Sequence, residues 1–285
     1  MKTKSERTTL VLGGTGKTGS RVARRLGEMG LAVRIGSRAG GQPFDWEDTA
    51  TWGPVLEGVG SVYVTYQPDL AAPGAVDRVG SFADLAVRRG VRRLVLLSGR
   101  GEPEAEHGEE AVKQSGAEWT VLRSSFFAQN FSESFFLGPV LEGELALPVG
   151  EVAEPFVDAG DVADVAVAAL SEEGHGGETY ELTGPRLLTY PEAVGEISRA
   201  TGREIRYVPV SVEQFASALY QEGVPPEMIQ LLTYLFVEVL DGRNAYLTDG
   251  VRRALGREPT DFADFARRTA ASGKWAGPHT VKLPA

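Results

Sequence analysis

Hydrophobic and polar positions alternate between two periods along the first part of this chain. Leu10, Val11 and Leu12 make a short continuous apolar run. Val22, Ala23, Leu26 and Met29 then recur at helical spacing, with Arg21, Arg24 and Arg25 mostly off that stripe, and an apolar run follows again from Leu31 to Ile35. The theme continues with a predicted helix over 48–56, a β-rich run over 61–65, and a helix over 73–89 with Val76, Val79, Phe82, Ala83 and Ala86 inward. A strand over 93–98, a helix over 108–115 and a strand over 119–122 come next. Strands alternating with helices predict an α/β fold built on a mostly parallel sheet covered on both faces. Beyond Arg123 the texture changes. Phe126, Phe127, Phe131, Phe135 and Phe136 crowd one stretch, an alanine-rich helix is predicted over 161–170 and a strand over 179–182. From Pro191 onward the pattern is mainly helical, broken at Gly202, at Gly223 to Pro226 and at Gly242.

Between the first strand and the first helix stands GGTGKTG, residues 13–19, which satisfies G-x-G-x-x-G at 14, 16 and 19 and G-x-x-G-x-x-G at 13, 16 and 19. Glycines there let the backbone turn tightly and approach a pyrophosphate, whose charge sits on the amides at the helix N-terminus. Gly30 stands where a helix C-terminal glycine belongs. Gly16-Lys17-Thr18 also suggests the triphosphate-binding loop, but that loop needs a glycine five positions before Gly16, and position 11 is Val11. The turn therefore predicts a dinucleotide. In NAD-binding turns an acidic residue about twenty positions on holds the ribose hydroxyls; here that place reads Gly36-Ser37-Arg38. A guanidinium in place of a carboxylate predicts NADP(H), with Ser37 and Arg38 donating to the 2′-phosphate and Lys17 in support. The plainer alternative for Arg38 is a solvated surface arginine.

Composition narrows the partners. The chain has 285 residues, a formal net charge of −10 and no basic tail, which weighs against nucleic acid. It has no cysteine, so thiolate nucleophiles and disulfides are excluded and a cytoplasmic protein is expected. The polar N-terminus lacks the apolar stretch of a signal peptide, and no segment offers the roughly twenty apolar residues of a membrane span. Residues 228–240, the longest candidate, read as a packed helix. His107, His175 and His279 have no metal-ligand spacing, and no G-x-S-x-G elbow occurs, which disfavours metal-dependent and serine hydrolysis.

Several motifs taken together carry a family resemblance: GGTGKTG at 13–19, SR at 37–38, LVLLSG at 94–99, EEAVKQSGAEWTVLRSSFFAQNF at 109–131, FVDAGDVADVAVAAL at 156–170 and YELTGPRLLTYPEAVGEIS at 180–198. Over nearly its whole length the chain resembles the NmrA-like branch of the atypical short-chain dehydrogenase/reductases, which includes quinone and azo-dye reductases as well as regulators that sense NADP(H). The resemblance implies a Rossmann fold, a doubly wound parallel sheet with a smaller, mainly helical C-terminal lobe. On that reading residues 1–155 form the NADP(H)-binding domain, 156–184 return to it in part, and 185–285 form the substrate lobe. It further implies Gly13, Thr15, Gly16, Lys17 and Thr18 at the pyrophosphate, Ser37 and Arg38 at the adenosine phosphate, and Asp45 near the adenine. Thr65, Tyr66, Gln67, Ser98 and Gly99 would line the nicotinamide, and Ser124, Phe126 and Asn130 would border the substrate. Asp45 could equally cap the helix after it, and the phenylalanines could be core.

Related reductases protonate the developing alkoxide from a Tyr-x-x-x-Lys pair on one helix face. None of the eight tyrosines here has a lysine four residues later. Counted back from Glu109, the corresponding positions are Gly101 and Ala105. Substitute acids are few: Tyr66 from the nicotinamide side, Ser98 to orient a carbonyl or a water, and His107, which in its acidic surroundings reads more readily as a surface residue. The expectation is an NADPH-dependent oxidoreductase that reduces a small apolar or aromatic acceptor, such as a quinone or enone, without that pair, as a monomer or homodimer with no nucleic-acid or membrane partner. The alternative is a non-catalytic NADP(H)-sensing regulatory protein.

Overall fold

The apolar run near the N-terminus forms strand β1 (Thr8–Leu12), whose Leu10, Val11 and Leu12 are fully buried, as a strand covered on both faces requires. The computed structural model describes residues 7–39 and 41–276. Helix α1 (Lys17–Glu28) turns Val22, Ala23 and Leu26 inward. Met29, expected on the same stripe, is 49% exposed, because the helix ends at that residue and Gly30 reverses the chain at φ 72°. Strand β2 (Val33–Gly36), helix α2 (Trp52–Val55), strand β3 (Val59–Val64), helix α3 (Ala75–Arg88) and strand β4 (Arg93–Gly99) follow. Helix α4 (Pro103–Gln114) starts earlier than the apolar pattern indicates. Pro103 in its first turn supplies a helical φ, and Glu104 and Glu106 favour the positive end of the helix dipole. Strand β5 (Glu118–Ser124) closes this run.

The remaining elements are α5 (Asn130–Glu133), α6 (Leu137–Glu142), β6 (Glu144–Leu147), β7 (Ala153–Glu154), α7 (Ala159–Ser171), β8 (Glu178–Leu182), β9 (Leu188–Thr189), α8 (Tyr190–Thr201), β10 (Arg206–Pro209), α9 (Val212–Gln221), α10 (Pro226–Tyr234), α11 (Gly250–Leu255) and α12 (Phe262–Ala271). They distribute over two compact units. Of the described residues, the first holds those up to Ser124 together with 159–183 and 248–258; the second holds 125–158, 184–247 and 259–276. The divisions thus fall at 124/125, 158/159 and 183/184, with a late return at 248–258; the sequence reading draws them at 155 and 184, with 156–184 returning in part to the first domain.

The first unit is a six-stranded sheet in the order β2-β1-β3-β4-β5-β8, with every pairing parallel. Strand order reverses between β1 and β3, and that is the point at which doubly wound sheets bind nucleotides at their carboxyl ends. Helix α7 buries most of its length, and its alanines admit close packing on α1. Its outer edge is charged: Arg25 pairs with Asp164 at 2.9 Å and Arg257 with Asp161 at 2.7 Å.

The second unit gathers the phenylalanine-rich stretch into its own core. Phe131 packs on Phe136, Phe156, Tyr190 and Phe262 with ring centroids 5.3–6.1 Å apart, while Phe135 lies on the surface. Helices α8 and α9 each begin with a capping box, Thr189 with Glu192 and Ser211 with Gln214. Two small sheets pair β6 with β10 in parallel and β7 with β9 antiparallel; β10 stands in what reads as helical sequence, and the other three strands lie in stretches for which the sequence reading names no element. Strands of two to four residues are too short to show an alternating pattern. Residues 228–240 do form a helix, α10, which continues as a π-turn over Leu235–Val239. No helix among the described residues is long and apolar enough to cross a membrane.

Candidate functional site

The glycine turn sits at the carboxyl end of β1, against the switch point. Gly13 donates its N–H to the Gly36 carbonyl at 3.0 Å, and the Gly16 N–H closes the turn on the Gly13 carbonyl at 2.8 Å. Gly13 has φ 61°, and a Cβ there would lie 2.5 Å from Thr65 Oγ1. A Cβ on Gly14 would press on Ile35 at 2.7 Å, and one on Gly19 would run into the Gly13 carbonyl oxygen. These three glycines therefore let the turn lie flat against β2, β3 and itself. The outer side differs, because Thr15 and Gly16 are exposed and α1 starts at Gly16 with no capping side chain and no acidic residue in its first turn. An uncapped, acid-free helix start on a flat glycine turn fits a dinucleotide pyrophosphate. Thr18 is buried, so its backbone rather than its hydroxyl faces that side, and Lys17 is half-buried.

At the end of β2, Ser37 is half-buried and bridges to Pro43, and Arg38 is exposed with no hydrogen bond or ion pair among the described residues. The segment that follows is rigid for an identifiable reason. Phe44, Trp46, Trp52 and Phe82 interlock edge to face with centroids 4.9–5.8 Å apart, contacts that contribute about 0.5–1.5 kcal/mol each beyond burial. Trp46 Nε1 donates to the Thr65 carbonyl at 3.1 Å and Trp52 Nε1 to the Asp45 carbonyl at 2.8 Å. Asp45 spends its own carboxylate on the Glu47 N–H at 3.0 Å, so it holds this turn and does not cap a helix.

The loop after β3 brings Thr65, Tyr66 and Gln67 to the same end of the sheet. Thr65 Oγ1 donates to the Leu12 carbonyl at 3.3 Å, and Gln67 is exposed. Tyr66 packs its ring on Trp46 at 5.0 Å and accepts from Arg78 at 3.3 Å. Burial raises its phenol above the ordinary value against the opposing pull of Arg78. At the end of β4, Ser98 donates its buried hydroxyl to Glu109 at 2.7 Å, which commits that proton to a structural carboxylate. His107 stands on α4 with its side chain 68% exposed, 3.4 Å from Glu104. His175 is buried against the Tyr180 hydroxyl at 3.0 Å, and His279 lies outside the described residues. Ser124 closes β5 in the first unit; Phe126 and Asn130 belong to the second, where Phe126 stacks on Phe236 at 6.3 Å.

One group at this end of the sheet is not apparent from the sequence. Glu102, in the acidic run EPEAEHGEE, is only 6% exposed. It occupies the N-cap of α4 without a side-chain hydrogen bond to the helix, and its carboxyl lies on Gly99, where an added Cβ would come 2.9 Å from Oε2. Burial, then the charge of Asp69 and a hydrogen bond to it, push the Glu102 carboxyl up to about 9. The signal that could have found it is Pro103, which makes residue 102 the boundary of a helix and turns it back toward the strand end.

No family model matches the chain. Two curated relatives span it almost completely: the uncharacterised oxidoreductase YesF of Bacillus subtilis, 33% identical over 92% of this chain and 95% of that one, and an NAD(P)H azoreductase of Xenophilus azovorans, 32% identical over 92% and 98%. Solved structures with the same fold include a nucleoside-diphosphate-sugar epimerase of Staphylococcus aureus, with TM-score 0.79 and 18% identity over 91% of this chain and 99% of that one. The triphenylmethane reductase of Citrobacter sp. solved with NADP(H) has TM-score 0.73 and 19% identity over 92% and 99%. The transcriptional regulator NmrA has TM-score 0.68 and 18% identity over 95% and 97%. Full-length identity to two oxidoreductases, on a doubly wound parallel sheet with a glycine turn at its switch point, shows that the chain belongs to the NmrA-like branch of the atypical short-chain dehydrogenase/reductases.

Proposed function

We propose that this chain is an NADPH-dependent reductase of a small, electron-poor apolar or aromatic acceptor, of the quinone, enone or azo type. The chain is an NAD(P)H-dependent oxidoreductase and binds NADP(H). The observation that carries the finer reading is what stands where the Tyr-x-x-x-Lys pair would be: Gly101, at φ 76°, and Ala105, fully buried. An acceptor whose reduced form is a stabilised phenolate or enolate needs less help from an enzyme acid than a simple ketone does. The azo acceptor named for the Xenophilus azovorans relative supports the same class.

The residues divide the work. Gly13, Thr15, Gly16, Lys17 and the Thr18 amide hold the pyrophosphate at the start of α1, and Ser37 with the exposed Arg38 takes the 2′-phosphate. Asp45 shapes the turn beside the adenine. Thr65, Tyr66, Gln67, Ser98 and Gly99 form the wall on which the nicotinamide rests, and Ser124 faces the acceptor. The reduced nicotinamide, when bound, supplies a hydride. Rapid mixing of the protein and NADPH with a panel of quinones, enones, azo compounds and ketones tests the reading. Oxidation of NADPH above background with the electron-poor acceptors, and little with simple ketones, is expected; no oxidation with any of them overturns it.

A further inference from the structure

We propose that Glu102, sharing one proton with Asp69, is the acid that protonates the reduced acceptor in this enzyme. The proposal rests on the reductase reading above, and it places the acid one residue after the position where relatives with a Tyr-x-x-x-Lys pair carry their tyrosine.

Two adjacent strand ends supply the groups. Asp69 comes from the loop after β3, fixed by the Ala71 N–H on its Oδ1 at 2.8 Å and the Ala72 N–H on its carbonyl at 3.0 Å. Glu102 comes from the loop after β4, fixed by Pro103 at the start of α4 and by the Ala105 N–H on its carbonyl at 3.0 Å. Asp69 is the neighbouring carboxyl that, after burial, raises Glu102, and two carboxyl groups in such contact hold one proton between them. The other oxygen of Glu102, Oε2, is buried with no hydrogen-bond partner among the described residues. A second polar atom without a partner lies close by in the fold. Ser124 pairs with Gly99 across β4 and β5, so its side chain projects to the face of the sheet on which the Glu102 carboxyl lies. Ser124 is 7% exposed and its Oγ also lacks a partner among the described residues. Polar atoms left without partners inside a protein are costly unless something else completes them. A polar acceptor at the carboxyl ends of β3, β4 and β5 meets both.

The chemistry balances with one carboxyl proton. A hydride, which carries two electrons, passes from NADPH to the acceptor, which is reduced as the nicotinamide is oxidised. The O–H bond of Glu102 breaks as a new O–H or N–H bond forms on the acceptor heteroatom. The carboxylate left beside Asp69 takes a proton back from water through Asp69, which is only half-buried. Burial and the neighbouring carboxylate keep Glu102 protonated at neutral pH, as this role demands.

Two measurements test the assignment. In the unliganded protein at pH 7, infrared spectroscopy is expected to show a protonated carboxyl band that disappears in Glu102→Gln and titrates at lower pH in Asp69→Asn. In turnover, Glu102→Gln is expected to lose on the order of 10²-fold with acceptors whose reduced form must be protonated during reaction. It should stay within about twofold for a quinone whose phenolate is stable in water, and NADPH binding by calorimetry should be unchanged, which also reports that the variant folds. Asp69→Asn, on a half-buried loop, should move the alkaline limb of the pH–rate profile downward. A wild-type protein without the band, or a Glu102→Gln variant with the same rates on both acceptor types, overturns the acid assignment and leaves the reductase reading standing. A wild type that binds NADPH and turns over no acceptor overturns both.

Discussion

Arg123 holds Glu109 through two 2.7 Å hydrogen bonds, Nε to Oε1 and a terminal nitrogen to Oε2, with the Glu109 side chain fully buried. The pair ties α4 to β5, and Ser98 of β4 donates to the same carboxylate. The ends of two strands and the middle of α4 are thereby held together at the edge of the proposed nicotinamide wall. Replacing Arg123 by Met leaves the buried carboxylate with the Ser98 hydroxyl and, as its one cation among the described residues, Lys113 at 3.6 Å. Breaking a buried pair in this way costs about 3–5 kcal/mol. Urea denaturation is expected to show a loss at the lower end of that range, since Lys113 compensates in part.

Glycines inside and outside the turn should respond oppositely to alanine. Gly19→Ala places a Cβ against the Gly13 carbonyl and is expected to abolish NADPH binding in calorimetric titration. Gly27→Ala, on the exposed side of α1 with nothing within 4 Å of the added carbon, should leave binding intact. It should stabilise the fold by about 0.5–1 kcal/mol, because alanine gives up less backbone freedom in a helix.

Arg38→Ala should change which nucleotide is preferred more than how stable the protein is. The side chain is exposed and unpaired among the described residues, so its removal breaks no internal contact. A charge-assisted hydrogen bond to the 2′-phosphate contributes about 1.5–3 kcal/mol, roughly ten- to a hundredfold in affinity. The ratio of NADPH to NADH affinity is expected to fall by that factor; an unchanged ratio removes Arg38 from the site.

Stability should fall with rising pH on account of Glu102. Its carboxyl is raised from 4.5 to about 9 in the folded protein. Between those values the folded state keeps a proton that the unfolded chain has lost, so unfolding becomes easier as pH rises through that window. Glu102→Gln cannot ionise and lacks this slope. Relative to wild type it should gain stability from about pH 5 to about pH 9, measured as urea midpoints at each pH.

Much of the first unit is legible in the chain. The periodicity of Val22, Ala23 and Leu26, the spacing of Gly13, Gly14, Gly16 and Gly19, and the alanine-rich run at 161–170 each reflect contacts between residues a few positions apart. The Phe126–Phe136 stretch reads more readily as core than as a substrate box, and the fold puts Phe131 and Phe136 in the core of the second unit. His107 and Glu102 stand in one acidic segment with the same local pattern. One is exposed and the other buried, because α4 starts at Pro103 and turns residue 102 back over Gly99 while residue 107 faces outward.

The identity of the cofactor thus follows from short-range features: a glycine turn between a strand and a helix, and a Ser-Arg pair after the next strand in place of a carboxylate. Backbone sterics and charge at those positions act locally and are readable in order along the chain. The environment of each titratable group is not. Whether Glu102 meets water or Asp69, whether the Ser98 hydroxyl is free or hydrogen-bonded to Glu109, and where one unit ends at Ser124 all depend on which strand ends lie side by side. Strand order in a parallel sheet is set by long crossovers, and it brings together residues whose separation in sequence carries no trace of their contact.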